Sequence, residues 1–298
     1  MYPLQCFHDR YCRFIHRSAD KMRLTEHRVI TSLIAEILGT LLLIFFGDGS
    51  VAQNFLGPSK LNQFLIVSLG WGGAVTVSII VTGQAGPAIL NPAIAMSNTV
   101  IGRLRWSLLP AYMLLEFAGA YLGAGLLLAV YHTKISEYAM RKDGGHFLTN
   151  TTGSIFVAGK GSSLGVAVMD QIVTTAILAF GIYALTEDRL VKKPIHTTPA
   201  LVGMMLFLAV GTYTANASSA LNPARDFGPR LLLLSTYCGL AAFKIDDYYF
   251  WVPLIAPMIG AVIGAILYEI LIGVHTDRET VTAKDTESDR YSQSGGDY

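Results

Sequence analysis

The tetrapeptide Leu-Asn-Pro-Ala occurs twice, at residues 90–93 and 221–224, each time within apolar sequence. These residue types suit hydrogen bonding at a helix end better than bond making. Asn91 and Asn222 are favoured N-caps, Pro92 and Pro223 fit the first helical position, and Ala93 and Ala224 continue a helix. With the side-chain oxygen used for capping, each asparagine amide keeps N–H groups to donate to a passing molecule. Arg225 follows the second copy directly and adds a permanent cation with five donors. A charge embedded in apolar sequence points to function. Catalysis finds no support. The seven histidines are scattered, no His, Cys and carboxylate cluster has metal-ligand spacing, and no glycine-rich loop follows a strand. The sequence predicts no enzyme, no metal and no cofactor.

The elements that must position these residues are apolar blocks. Apolar residues make up 52% of the 298 and charged residues only 14%, which is the composition of a membrane protein. A helix needs roughly 20 mostly apolar residues to cross a hydrocarbon core. Six stretches approach that length, at about 29–47, 64–82, 107–131, 164–185, 199–214 and 249–273. The fifth is short and runs on into the second motif; the first motif lies between spans two and three, in an apolar segment about half the required length.

Residues 1–28 are too long and too charged for a cleaved signal peptide, and read as a cytoplasmic segment ahead of a membrane-spanning domain at 29–273. Residues 274–298 have few apolar side chains and read as a disordered cytoplasmic tail. With both termini cytoplasmic, 14 of the 22 Lys and Arg fall inside, as the positive-inside rule requires. Cys6 and Cys12 then lie on the opposite side from Cys238, which leaves no disulfide framework. Asn150 matches a glycosylation acceptor in an outer loop. A net charge of +1 argues against a nucleic-acid partner, and the lipid bilayer is the expected surrounding.

The chain also repeats itself, in halves of about 29–131 and 164–273. "AEILGTLLLIF" at 35–45 parallels "MDQIVTTAILAF" at 169–180, which sets Glu36 opposite Asp170 and Thr40 opposite Thr174. "AGAYLGAGLL" at 118–127 parallels "IGAVIGAILY" at 259–268, each with a Gly-xxx-Gly pair that suits close helix contact. Three spans per half is an odd number, so the halves enter the membrane from opposite sides. The expected fold is therefore an all-α membrane protein of six transmembrane helices plus two re-entrant half-helices in an inverted repeat.

A short segment at membrane depth must dip in and return, and its irregular backbone must be packed in protein or line a watery cavity. Two such segments entering from opposite faces meet near the bilayer middle. Their dipoles aim two positive ends, each worth about half an elementary charge, at one spot. Cations are repelled there and neutral molecules are not. Glu36 and Asp170, as matched buried carboxylates, are expected to accept hydrogen bonds from the re-entrant backbone.

Two Asn-Pro-Ala motifs, six spans and this repeat resemble the major intrinsic proteins, the aquaporins and aquaglyceroporins, across nearly all of 29–273. The resemblance implies a homotetramer, probed by water and small solutes one subunit at a time, in the plasma membrane. It carries a four-position selectivity filter onto Trp71, Val210 beside Gly211, Ser219 and Arg225. Trp71 in place of Phe, Asp226 after the arginine, and Pro253 and Leu254 in the last span resemble the glycerol-conducting branch. Ile89 stands before Leu90 where the family usually has His, Glu116 where Gln is common, and Ser219 where glycerol channels carry an aromatic. The implied function is a passive channel for water, glycerol and other small neutral solutes that excludes protons and ions. The alternatives are a water-selective aquaporin and an alternating-access transporter, which also uses inverted repeats and half-helices.

Overall fold

The computed structural model describes residues 27–57, 63–147, 151–187 and 197–275, together with 10, 12–15 and 24. Cys6, Asn150 and the tail beyond residue 275 lie outside the described residues. The helices in chain order are α1 (Arg28–Leu56), α2 (Gln63–Thr82), α3 (Pro92–Val100), α4 (Leu109–Asp143), α5 (Leu164–Thr186), α6 (Thr198–Tyr213), α7 (Pro223–Ser235), α8 (Ala241–Tyr248) and α9 (Trp251–Leu271). A 3₁₀ turn, Thr152–Ile155, lies between α4 and α5.

Helices α1, α2, α4, α5 and α9 are long and apolar enough to cross a membrane, while α6, the short fifth span, has 16 residues. Large apolar side chains such as Ile80, Leu114 and Val130 are exposed on their outer faces, where lipid replaces water as solvent. Two helices outrun the hydropathy blocks. α1 continues to Leu56, and α4 runs for 35 residues until Gly144, at φ 62°, ends it. Hydropathy marks only the lipid-facing part of a helix. The polar turns after Tyr131 in α4 hold good helix formers, and nothing breaks the backbone before the left-handed glycine.

The two halves pack alike. α1 lies on α4 as α5 lies on α9, α2 meets α6 between the halves, and each half-helix rests on the last helix of the other half, α7 on α4 and α3 on α9. The Gly-xxx-Gly pairs set these approaches. A Cβ on Gly119 or Gly123 would run into the carbonyl oxygens of Ile37 and Leu41 on α1, and one on Gly260 or Gly264 into those of Ile172 and Ala176 on α5.

These contacts fix the register of the repeat. Ile37 corresponds to Ile172, so Glu36 corresponds to Gln171 and Thr40 to Thr175. The sequence match is therefore off by one residue: it aligned the two acidic side chains, Glu36 and Asp170, where packing aligns position with position.

Candidate functional site

The two motifs close onto each other. After α2 and after α6 the chain turns and then runs extended into Asn91 and Asn222. The preceding leucines adopt matched left-handed conformations, φ 58° at Leu90 and 54° at Leu221, which is strained for a residue with a side chain. Side chains from the spanning helices hold them there. Glu36 accepts the N–H of Ile89 at 2.9 Å and of Leu90 at 2.7 Å, one on each carboxyl oxygen. Glu116 accepts the N–H of Asn91 at 3.0 Å.

On the other side Gln171 does the equivalent work, accepting the N–H of Leu221 at 3.2 Å and donating to the Ser218 carbonyl at 3.0 Å. Asp170 does not take the role expected of it, and instead meets the Asn216 amide at 3.4 Å. The one-residue shift in register rotates it about 100° round α5, away from the Leu221 N–H that Gln171 holds and toward the Asn216 side chain.

Each asparagine caps its half-helix. Asn91 Oδ1 accepts the Ala93 N–H at 2.9 Å, and Asn222 Oδ1 accepts those of Ala224 at 2.8 Å and Arg225 at 3.4 Å. Pro92 and Pro223 begin the helices. The amides also cross-brace the loops: Asn91 Nδ2 donates to the Leu221 carbonyl at 3.0 Å, and Asn222 Nδ2 to the Leu90 carbonyl at 2.8 Å. One hydrogen of each amide is thus committed to protein, which narrows the expectation that both face a solute. The second remains, and both asparagines line an inner cavity of about 350 Å³ together with Ile89, Leu90 and Leu221.

A second cavity, of about 500 Å³, opens beyond it. Four residues line both: Trp71, Val210, Ser219 and Arg225. Gly211 lines neither; a Cβ there would stand 3.7 Å from Ser68 Oγ on α2. A helix turns 100° per residue, so of the adjacent pair only Val210 can face the lumen.

Where the two cavities share their lining, the Arg225 guanidinium lies 4.9 Å from the centre of the Trp71 ring, donates to the Phe156 carbonyl at 3.1 Å, and approaches Asp48 Oδ1 at 3.7 Å. Ser219 Oγ is bonded to Thr214 Oγ1 at 3.0 Å. The ring of Trp71 occupies the space that a side chain at Gly47 would fill. Asp226 stands behind the lumen. It accepts the Ala158 N–H at 2.7 Å and pairs with Arg230 at 2.5 Å, and Arg230 in turn donates to the carbonyls of Ala158 and Ala242. This buried knot anchors residues 156–158, whose Phe156 carbonyl positions Arg225. At the far end of the inner cavity Arg103 is held by Glu187 at 3.2 Å and Glu269 at 2.9 Å, above the Tyr183 ring.

Sequence reasoning missed Asp48, Gln171, Phe156 and Arg103. Asp48 was findable, because it ends the first apolar block directly and apolar residues resume after it, and a charge in such a place calls for an explanation. A backbone carbonyl such as that of Phe156 leaves no mark in residue type.

An inverted repeat whose half-helices meet tip to tip, beside two cavities that share four lining residues, defines a multi-pass integral membrane channel. Residues 23–268 match the Major intrinsic protein family, and the chain belongs to it; it is not an enzyme. Among its relatives, Aquaporin-10 of Homo sapiens is 34% identical over 268 residues, covering 88% of this chain and 87% of that one. Aquaporin-9 of Homo sapiens is 31% identical, covering 81% and 82%, and Aquaglyceroporin-2 of Rhizophagus irregularis is 30% identical, covering 80% and 76%. The crystal structure of the aquaglyceroporin from Plasmodium falciparum superposes with a TM-score of 0.74 at 28% identity, over 83% of this chain and 98% of that one.

Proposed function

We propose that the protein is a passive channel of the aquaglyceroporin type, conducting water, glycerol and similar small neutral solutes while excluding protons and ions. The observation that carries this reading is that Trp71, Val210, Ser219 and Arg225 line both cavities, which we read as the constriction between them. The indole face suits a carbon backbone, Arg225 donates to hydroxyls, and Val210 with the small Ser219 leaves room for a polyol. Further in, the remaining amide hydrogens of Asn91 and Asn222 receive the solute, and the two half-helix ends disfavour cations. Glu36, Glu116 and Gln171 hold the loops, and Asp226 supports the outer wall.

The names of the relatives, aquaporins and aquaglyceroporins, support the same substrates. The assembly is a homotetramer in the plasma membrane, with both termini cytoplasmic, the side that the excess of Lys and Arg favours. Cross-linking in membranes and protease access from each face test those two statements.

Flux in proteoliposomes tests the channel. Glycerol uptake should rise nearly linearly with its gradient and ignore Na⁺ and pH gradients. Saturation with tight ion coupling would mean an alternating-access transporter, and water flux without glycerol flux a water-selective pore.

A further inference from the structure

Asp48 lies within α1, is wholly buried, and neither of its carboxylate oxygens receives a hydrogen bond from any described residue. An unpaired carboxylate in such a place is strongly unfavourable unless a cation compensates it. The cation at hand is Arg225, whose Nη2 stands 3.7 Å from Asp48 Oδ1. Arg225 has no competing anion. Its chain neighbour Asp226 is engaged by Arg230 through both oxygens, at 2.5 and 3.3 Å, and by the Ala158 N–H. The guanidinium's other contacts among the described residues, the Phe156 carbonyl and the Trp71 ring, carry no net charge. Gly47, next to Asp48, makes the space in which the Trp71 indole lies. Two consecutive residues of α1 therefore back two of the four constriction residues.

We propose that Asp48 is the counter-ion and positioning residue of Arg225. It cancels the guanidinium charge at the constriction and draws the group toward α1, so that solutes meet its N–H donors without a net positive field. At so short a separation in a poorly solvated site, a paired cation and anion act on the lumen as a dipole. Ion exclusion then rests on the half-helix ends and on pore width, and the constriction itself favours neither sign. This inference rests on the reading of these residues as the constriction of a solute channel.

The test uses the full chain in proteoliposomes. The diffusion potential across a guanidinium nitrate gradient gives the ratio of anion to cation leak, since both ions are small, planar and permanently charged at neutral pH. Asp48→Asn should move that ratio toward nitrate by about tenfold, the effect of about 1.4 kcal/mol of ion energy. Asp48→Val, which fills the site with an apolar group of similar size, should do the same. Arg225→Gln should move it toward guanidinium, and the double variant Asp48→Asn with Arg225→Gln should return near the parent.

A purely structural Asp48 would not change the sign of ion preference. The proposal is overturned if both Asp48 variants keep the parental ratio, which would mean the residue carries a proton, or if their shift persists undiminished beside Arg225→Gln. Should the single Asp48 variants fail to insert, rescue of insertion by Arg225→Gln supports the pairing, and failure to rescue overturns it. Glycerol flux is measured on the same vesicles. Its absence in the parent would remove the channel reading, whereas a parental flux with an unmoved ion ratio would remove only the counter-ion.

Discussion

The side chain of Asn91 is bonded to the main chain of Leu221, 130 residues away, and the side chain of Asn222 returns the bond to Leu90. Each half of the repeat thereby clamps the loop of the other. Both carbonyls belong to leucines in a left-handed conformation, the geometry that aims them across the junction. Strain at these two residues is the cost of the clamp, and Glu36, Glu116 and Gln171 hold the loops in place against it.

The register of the repeat makes Gln171 a structural residue and Asp170 a peripheral one. Gln171→Ala leaves the buried Leu221 N–H unsatisfied, at a cost of about 1–3 kcal/mol, and also removes a donor from the half-buried Ser218 carbonyl. Asp170→Ala loses only a 3.4 Å contact with Asn216. Thermal unfolding in detergent should show a clear drop in Tm for the first and little change for the second. Equal drops would contradict the shifted register.

Glu36 binds two consecutive N–H groups with its two oxygens. Glu36→Gln keeps one acceptor and turns the other into a donor facing a donor, so glycerol flux per inserted channel should fall while some fold remains. Glu36→Ala removes both acceptors and should cost more, about 3 kcal/mol or above for charge-assisted bonds. Flux normalised to protein in vesicles, read beside Tm, separates the two.

Gly47 leaves no room for a methyl group beside the Trp71 indole. Gly47→Ala should push the ring into the constriction, with an overpacking cost of about 1–3 kcal/mol. Stopped-flow light scattering should record a larger loss of glycerol flux than of water flux, because the wider solute meets the narrowed wall first. An unchanged ratio would place the ring away from the conducting path.

Cys238 lies between α7 and α8, with its Sγ near the Phe147 carbonyl, and burial pushes its thiol pKa up. The thiolate fraction at pH 7 is therefore below that of an ordinary cysteine, and alkylation should speed up as pH rises toward and past the usual thiol range. Maleimide labelling followed across pH 7–9.5 measures this. Because neither cavity is lined by Cys238 and the constriction carries Ser219, mercurials should leave glycerol flux unchanged. Inhibition lost in Cys238→Ser would show that the thiol does reach the path.

Arg230 is wholly buried and divides its donors among Asp226, Ala158 and Ala242. Arg230→Lys keeps the charge and cannot reproduce the fork. It should lower Tm markedly, by the equivalent of about 3 kcal/mol, the scale of a broken buried pair. Solute flux should fall with it, since residues 156–158 carry the carbonyl that orients Arg225. A Lys variant of parental stability would remove the knot from the support of the outer wall.

The sequence by itself determined the parts with a local signature. Apolar blocks gave the spans, Asn followed by Pro gave the half-helix starts, and the odd number of spans per half gave the inversion. The family resemblance, counted from the two motifs, singled out Trp71, Val210, Ser219 and Arg225; nothing in the residues themselves marks the first three. Only the tertiary structure decided which of two neighbours faces the lumen, Val210 over Gly211, and which of two supports the loop, Gln171 over Asp170. It alone brought Asp48 to Arg225 and the Phe156 carbonyl to the same guanidinium. The physical reason is common to all of these. Facing is set by rotation about a helix axis, and pairing by close packing at glycines such as Gly119 and Gly260, where contacts join residues far apart in the chain.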